Sequence, residues 1–324
     1  MSSRPIVVVT RRLPAAVEAE LRRRFDARIP DDDLPTTAED LQRALGQGDA
    51  LLTTVTDRVT AEVLAAYPIR TRIIANFGVG YDNIDLAAAQ AHDIAVTNTP
   101  GVLTDCAADL AMALMMMTMR RTGEGERELR SGQWTGWRPM HMLGVRVTGK
   151  TLGLVGMGRV ARAVAHRAHH GFGMRIICYD PAPPSPQALA AVGAEPRATL
   201  DELLAESDVV SLHCPSTPET RGLMNTARLA QMKRGAFLIN AARGEVVDDE
   251  ALIAALKSGH LAGAGLDVFR GEPNFDRRYL ELPNVVLLPH LGSATNETRE
   301  AMGFKAAENL SAFFEGRPVP DRVI

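Results

Sequence analysis

The stretch TLGLVGMGRVARAVAHRA (residues 151–168) decides the fold. It opens as an apolar strand, turns at Gly156-Met157-Gly158 and runs on as a helix with small Ala161 in its first turn. This is GxGxxA, the pattern that opens a dinucleotide-binding βαβ unit. The first glycine permits the tight turn, and the second lets the backbone approach a pyrophosphate. Ala161 lets the helix lie close on the strand, and the helix N-terminus offers free N–H groups to phosphate oxygens. A second strand, MRIICYD (174–180), follows and ends in Asp180. A carboxylate there accepts hydrogen bonds from the adenosine ribose hydroxyls. It favours NAD(H) and repels the extra phosphate of NADP(H), while leaving use of both open.

Working outward, further apolar runs continue the series: DVVSLHC (208–214), GAFLINAA (235–242), GAGLDV (263–268) and NVVLLPH (284–290). They are apolar throughout, as strands buried on both faces require. A separate alternating series precedes them. PIVVVT (5–10), ALLTT (50–54), RIIANFG (72–78) and DIAVTN (93–98) read as strands, and PAAVEAELRRRF (14–25) as an amphipathic helix with Pro14 in its first turn. Alternation of this kind predicts two open parallel α/β sheets.

The break falls at NTPG (98–101), before a helix expected over about 105–121 with Thr104 as its cap. The stretch 123–144, which holds both tryptophans, reads as looser chain. A last helix is expected over about 295–314 and is placed back on the first domain. The expected domains are 1–98 with 291–324, and 99–290.

Composition narrows the function. A net charge of −3 on 324 residues gives no basic footprint for nucleic acid. The apolar run LAMALMMMTM (110–119) is half the length a bilayer needs, and the N-terminal apolar run is too short for a secretory signal. The methionine-rich run is expected in a core or a dimer interface. Three scattered cysteines without CxxC imply neither a disulfide framework nor a zinc site, so a reducing cytoplasm is expected. His166 and His170 are four apart, but no third ligand accompanies them, so no metal is expected. DDD (31–33) reads as a solvated loop.

Three polar residues follow predicted strands of the second series: Arg243, Glu272 and His290. In open α/β sheets ligands bind beyond the carboxyl ends of strands, so distant residues can converge there. Arg243 can bind a carboxylate in bidentate fashion and polarise a neighbouring carbonyl. His290 can give a proton to a carbonyl oxygen as hydride reaches carbon, and Glu272 can orient the imidazole.

NFGVGYDNIDL (76–86), NTPGVLTDCAADLAMAL (98–114), GKTLGLVGMGRVARAVA (149–165), VSLHCPSTPETRGLMN (210–225), LINAARGEVVDDEAL (238–252), AGLDVFRGEP (264–273) and LLPHLGSAT (287–295) together carry a resemblance. They span nearly the whole chain, which resembles the D-isomer-specific 2-hydroxyacid dehydrogenases, and within them the glyoxylate/hydroxypyruvate reductases. The resemblance implies two Rossmann/flavodoxin-like domains with the active site in the cleft between them. It implies Arg243, Glu272 and His290 as the catalytic set. The Val79 and Gly80 N–H groups would bind the substrate carboxylate, near Asn76. Asp267 would meet the nicotinamide amide, with Thr104 close by, and Arg159 and Val160 would lie on the pyrophosphate. His213, Cys214 and Pro215 would flank the adenosine half. Thr220, Ala241, Ala242 and Gly292 complete the cofactor set.

The expected reaction is NAD(P)H-dependent reduction of a small 2-oxoacid to the D-2-hydroxyacid. The resemblance also implies a homodimer through residues 105–144, with Trp137 reaching the partner's active site or serving as an ordinary interface aromatic. The sequence runs 34 residues past His290, so the appended regulatory domain of long phosphoglycerate dehydrogenases is not expected. Phosphite dehydrogenases and NADH-sensing corepressors keep the same three residues, so both remain alternatives on sequence alone.

Overall fold

A computed structural model describes residues 4–66 and 68–324, which form two compact units. The first unit opens with β1 (Ile6–Val9), α1 (Ala15–Arg24), β2 (Asp26–Arg28), α2 (Ala38–Gln47) and β3 (Ala50–Thr54). It continues with α3 (Ala61–Ala65), β4 (Ile73–Phe77), α4 (Leu86–Ala91) and β5 (Ala95–Thr97). Its five strands are all parallel, in the order β2-β1-β3-β4-β5, the flavodoxin-like order. Alternate residues face opposite layers, as the two-residue period of a strand dictates. Leu52, Ile73 and Ala75 pack on Val17 and Leu21 of α1, whereas Leu51, Ile74 and Val96 pack on Leu41 and Leu45 of α2. Each large side chain so buried contributes about 1.5–3 kcal/mol. Thr37 starts α2 through a capping box with Asp40. The sequence reading differs here in detail: Pro14 precedes α1 as its N-cap, and Asp33 is an ion-pair partner of Arg11 (2.8 Å) rather than a merely solvated residue.

The second unit holds α5 (Thr104–Met119), α6 (Thr122–Arg130), β6 (Thr151–Val155), α7 (Arg159–Phe172), β7 (Arg175–Tyr179) and α8 (Pro186–Ala190). It continues through β8 (Ala194–Pro196), α9 (Leu200–Glu206), β9 (Val209–Leu212), α10 (Thr226–Gln231), β10 (Ala236–Asn240), α11 (Asp249–Lys257), β11 (Leu261–Leu266) and β12 (Val285–Leu287). Its seven parallel strands run β12-β11-β10-β9-β6-β7-β8. The order reverses between β6 and β9, the switch point at which a doubly wound sheet binds its ligand.

Thr104 is the first helical residue of α5 rather than its cap. Met112, Met115 and Met119 are buried against this sheet, so the methionine run is core. Residues 122–130 form α6 although the sequence reads as loose, because pairs such as Arg121–Glu124 and Glu126–Arg130 support an otherwise solvent-facing helix. Beyond α6 the chain carries exposed Trp134, Trp137, Met140 and Leu143, with Trp137 at 81% exposure.

The chain returns to the first unit in α12 (Asn296–Phe314), capped by Thr295. Met302, Ala306, Ala307 and Leu310 complete that unit's core beside Val17 and Ile73. The first unit takes in the chain up to Leu103 together with Ala294–Ile324, and Thr104–Ser293 forms the second. These limits lie a few residues beyond those expected from sequence, because Val102 and Leu103 still pack on the first core. No helix among the described residues is long and apolar enough to cross a membrane.

Candidate active site

The GxGxxA loop joins β6 to α7. Gly156 has φ +86, and a Cβ there would sit 2.9 Å from the Cys214 nitrogen, so both conformation and space demand glycine. A Cβ on Gly158 would meet nothing within 4 Å. Gly158 caps α7 with no side-chain hydrogen bond, so the first-turn N–H groups of Arg159, Val160 and Ala161 have no intrahelical acceptor. Ala161 is fully buried against the sheet. This is a built anion cradle, and a dinucleotide pyrophosphate fits its donors and its room. Asp180 ends β7 beside it. Its Oδ2 accepts from Met157 N (2.7 Å) and its Oδ1 from Ala182 N (2.9 Å), so the carboxylate holds the glycine turn itself.

The loop after β9 closes the other side. His213 N donates to Val155 O (2.8 Å), and Ser211 Oγ lies 2.9 Å from His213 Nε2. Burial pushes the His213 pKa down to about 4, so the ring is neutral near pH 7. Burial likewise pushes the Cys214 thiol up to about 11. Thr220 Oγ1 donates to Pro215 O (2.6 Å) and pins this loop.

Arg243, Glu272 and His290 all lie beyond carboxyl ends of this sheet. Arg243 sits in a turn after β10 that Asn240 folds: Asn240 Nδ2 donates to Arg243 O (2.9 Å), and Ala242 N donates to Asn240 Oδ1 (3.1 Å). Asn240 is 1% exposed and was not singled out from sequence; a lone amide ending an apolar strand was its signal. Next to it, Gly244 abuts the chain after β11, where a Cβ would lie 1.9 Å from the Phe269 carbonyl carbon. That chain carries Glu272, whose Oε1 accepts from Phe269 N (2.7 Å). Its other oxygen, Oε2, lies 2.8 Å from His290 Nδ1.

His290 is held by its backbone as well. Its N–H donates to Asp267 O (2.9 Å), and its φ of 56° is in the left-handed region. The Asp267 side chain accepts from Leu291 N (2.7 Å) and Gly292 N (2.9 Å). Desolvation raises the Asp267 pKa, and those two N–H donors work against the rise. β12 ends at Leu287, three residues before His290, so the histidine stands on a turn rather than at a strand end. A carboxylate on Nδ1 makes that nitrogen the N–H donor and leaves Nε2 to face a ligand.

In the first unit, β4 ends in the turn Gly78-Val79-Gly80. Gly78 O accepts from Thr99 N (3.0 Å), Val79 O from Asn98 Nδ2 (2.8 Å) and Gly80 O from Asn76 Nδ2 (2.8 Å). The three carbonyls are thus tied to protein donors. Thr104 and Trp137 are not drawn into these networks: the first opens α5 and the second stands exposed. Among the described residues no cluster of three or more His, Cys, Asp or Glu has metal-ligand geometry.

A pyrophosphate cradle and an oriented imidazole–carboxylate pair on one doubly wound sheet describe a nicotinamide-dependent oxidoreductase. Comparison with known proteins narrows this. Residues 112–292 match the D-isomer specific 2-hydroxyacid dehydrogenase, NAD binding domain. The chain is 46% identical over 324 residues to the glyoxylate reductase of Thermococcus kodakarensis, covering 99% of this chain and 96% of that one. Among solved structures, a Polaromonas protein described as a D-isomer specific 2-hydroxyacid dehydrogenase matches with a TM-score of 0.92 and 41% identity over 99% of both chains. The NADPH-dependent glyoxylate/hydroxypyruvate reductase of Sinorhizobium meliloti, solved with NADP and malonate, matches with a TM-score of 0.87 and 34% identity, covering 99% of this chain and 97% of that one. The chain belongs to the D-isomer-specific 2-hydroxyacid dehydrogenase family, and is an NAD(P)-dependent oxidoreductase.

Proposed function

We propose that this protein reduces a small 2-oxoacid, glyoxylate or hydroxypyruvate, to the D-2-hydroxyacid, with NADH as its preferred reductant. The observation that carries the chemistry is the 2.8 Å contact between His290 Nδ1 and the backbone-anchored Glu272. Glu272 fixes the ring, and His290 gives its Nε2 proton to the substrate carbonyl oxygen. Arg243 binds the oxoacid carboxylate and polarises the carbonyl beside it. The Val79 and Gly80 N–H groups hold the same carboxylate, a role that fits a turn whose carbonyls are all tied back. A bound nicotinamide would supply the hydride to the carbonyl carbon. Arg159 and Val160 hold its pyrophosphate, Asp180 its adenosine ribose, and His213, Cys214, Pro215 and Thr220 border the adenosine half. Ala241, Ala242 and Thr104 border the nicotinamide half, where Asp267 and Gly292 shape the turn that carries His290.

The relatives named glyoxylate reductase support the substrate class. The Asp180 carboxylate supports NADH over NADPH, against the NADPH-dependent relative at 34% identity. We further propose a cytoplasmic homodimer joined through residues 105–144. The exposed apolar side chains at 134–143 are suited to such burial, with Trp137 extending toward the partner's site.

The test is steady-state oxidation of NADH and NADPH against glyoxylate, hydroxypyruvate, pyruvate and 3-phosphohydroxypyruvate. The expected result is the highest kcat/KM with NADH and one of the first two acids. No turnover of any oxoacid with either cofactor would overturn the reading.

A further inference from the structure

Beneath the Gly78–Gly80 turn lies a buried polar network with one fixed polarity. Asn76 and Thr53 are fully buried and Asn83 is 6% exposed. The Asn83 Nδ2 lies 3.1 Å from Thr54 O, 3.1 Å from Asp57 O and 3.3 Å from Asn76 Oδ1. The first two are backbone carbonyls, which only accept, so this end of Asn83 must be its NH2 group. It therefore demands an acceptor from Asn76. The Thr53 hydroxyl, 3.4 Å from the same Asn76 Oδ1, adds a second donor. With its oxygen so engaged, Asn76 turns its own NH2 toward Gly80 O (2.8 Å) and Gly78 O (3.5 Å). An amide that could flip would set oxygen against those carbonyls instead.

Outside the network the turn is equally directed. Its carbonyls are tied to Asn76, Asn98 and Thr99, while the N–H groups of Val79 and Gly80 take no intrachain hydrogen bond among the described residues. Asp57 supports the far end: it is 2% exposed, and its Oδ2 accepts from Thr10 Oγ1 (2.6 Å), Thr54 N (2.6 Å) and Thr54 Oγ1 (3.0 Å).

We infer that Asn83 and Thr53 are positioning residues that lock the Asn76 amide in one orientation, and so fix the Val79 and Gly80 N–H groups as donors to the substrate carboxylate. This rests on the reading above that these two N–H groups bind that carboxylate. Neither Asn83 nor Thr53 touches substrate; both act through Asn76.

The experiment measures KM for glyoxylate, the inhibition constant of oxamate as a non-reducible carboxylate probe, and KM for NADH in four proteins. They are the wild type, Asn83→Ala, Thr53→Val and Thr53→Ser. Losing one neutral hydrogen bond in the relay corresponds to about a 3- to 10-fold change. The glyoxylate KM and the oxamate constant should rise together by about that factor in Asn83→Ala, and in the same direction in Thr53→Val. The NADH KM should stay within about twofold, because the cofactor does not use this turn. Thr53→Ser, which keeps the hydroxyl, should return the wild-type values. If Asn83→Ala does not fold, the Thr53 pair carries the test alone. Unchanged constants in the variants, or a parallel rise in the NADH KM, would refute the relay while leaving the oxoacid reading intact. A wild type inert toward every oxoacid would instead remove the reading itself, and the relay with it.

Discussion

His290 sits at φ 56°, a backbone conformation that most side chains adopt only under constraint. The constraint is visible: its N–H is bound to Asp267 O and its ring to Glu272. A substitution that removes the imidazole but tolerates this backbone isolates the chemistry from the strain. Asparagine is such a residue. His290→Asn should keep the wild-type melting temperature to within a few degrees and lower kcat by about 10²–10⁴-fold, the usual worth of a positioned proton donor. Near-normal turnover in that variant would rule out His290 as the acid. Its place at the carboxyl end of the last strand was legible in sequence, whereas the stop at Leu287 that leaves it on a turn was not. The left-handed backbone was not, because nothing in PHLG distinguishes the two hands.

At the scale of elements, the loops after β10 and β11 behave as one piece. Gly244 of the first lies so close to Phe269–Arg270 of the second that a Cβ would fall 1.9 Å from backbone carbon, which no rotamer change relieves. Gly244→Ala must separate the loops that carry Arg243 and Glu272. We expect a fall in kcat/KM of at least about 10²-fold, the scale of a 1 Å misplacement, with a smaller loss of stability. A stable, fully active Gly244→Ala protein would show that the two loops need not touch. The long buried strands such as β6 and β10 were readable because they are apolar through their length. The edge strands β2 and β8 were not, since three-residue strands with exposed polar side chains carry no period. α6 was missed because Gly123 and Gly125 argue against a helix that ion pairs then support. The placement of Arg243, Glu272 and His290 beyond strand ends was legible in sequence. Asn240, Asn83 and Thr53 were not, since a buried amide or hydroxyl that arranges backbone looks in sequence like any polar residue near a turn.

For the whole molecule, stability should carry a histidine signature. His213 has a folded pKa of about 4 against an ordinary value of 6.5. Between those values the unfolded chain binds a proton that the folded chain refuses, so stability must fall as the solution is acidified. The stability is fully present above about pH 6.5 and is lost progressively toward pH 4. Carboxylates held low by arginines, such as Glu20 and Glu195 at about 2, act in a lower window, below about pH 4.5. Thermal melts between pH 7 and 5 should therefore show a falling transition temperature, and His213→Asn should flatten it. An unchanged slope in that variant would assign the pH dependence to other groups.

The return of α12 to the first unit has a consequence for how the protein is made. On the ribosome the second unit, Thr104–Ser293, emerges as one uninterrupted piece and can fold as soon as it is complete. The five strands of the first unit leave the tunnel earlier, yet one face of their sheet waits for Met302, Ala306 and Leu310. At ordinary elongation rates the intervening 190 residues take about 10–40 s to synthesise. For that interval the nascent chain presents an apolar sheet face that α1 alone covers in part. It is in that window, rather than in the finished enzyme, that this fold most needs a chaperone.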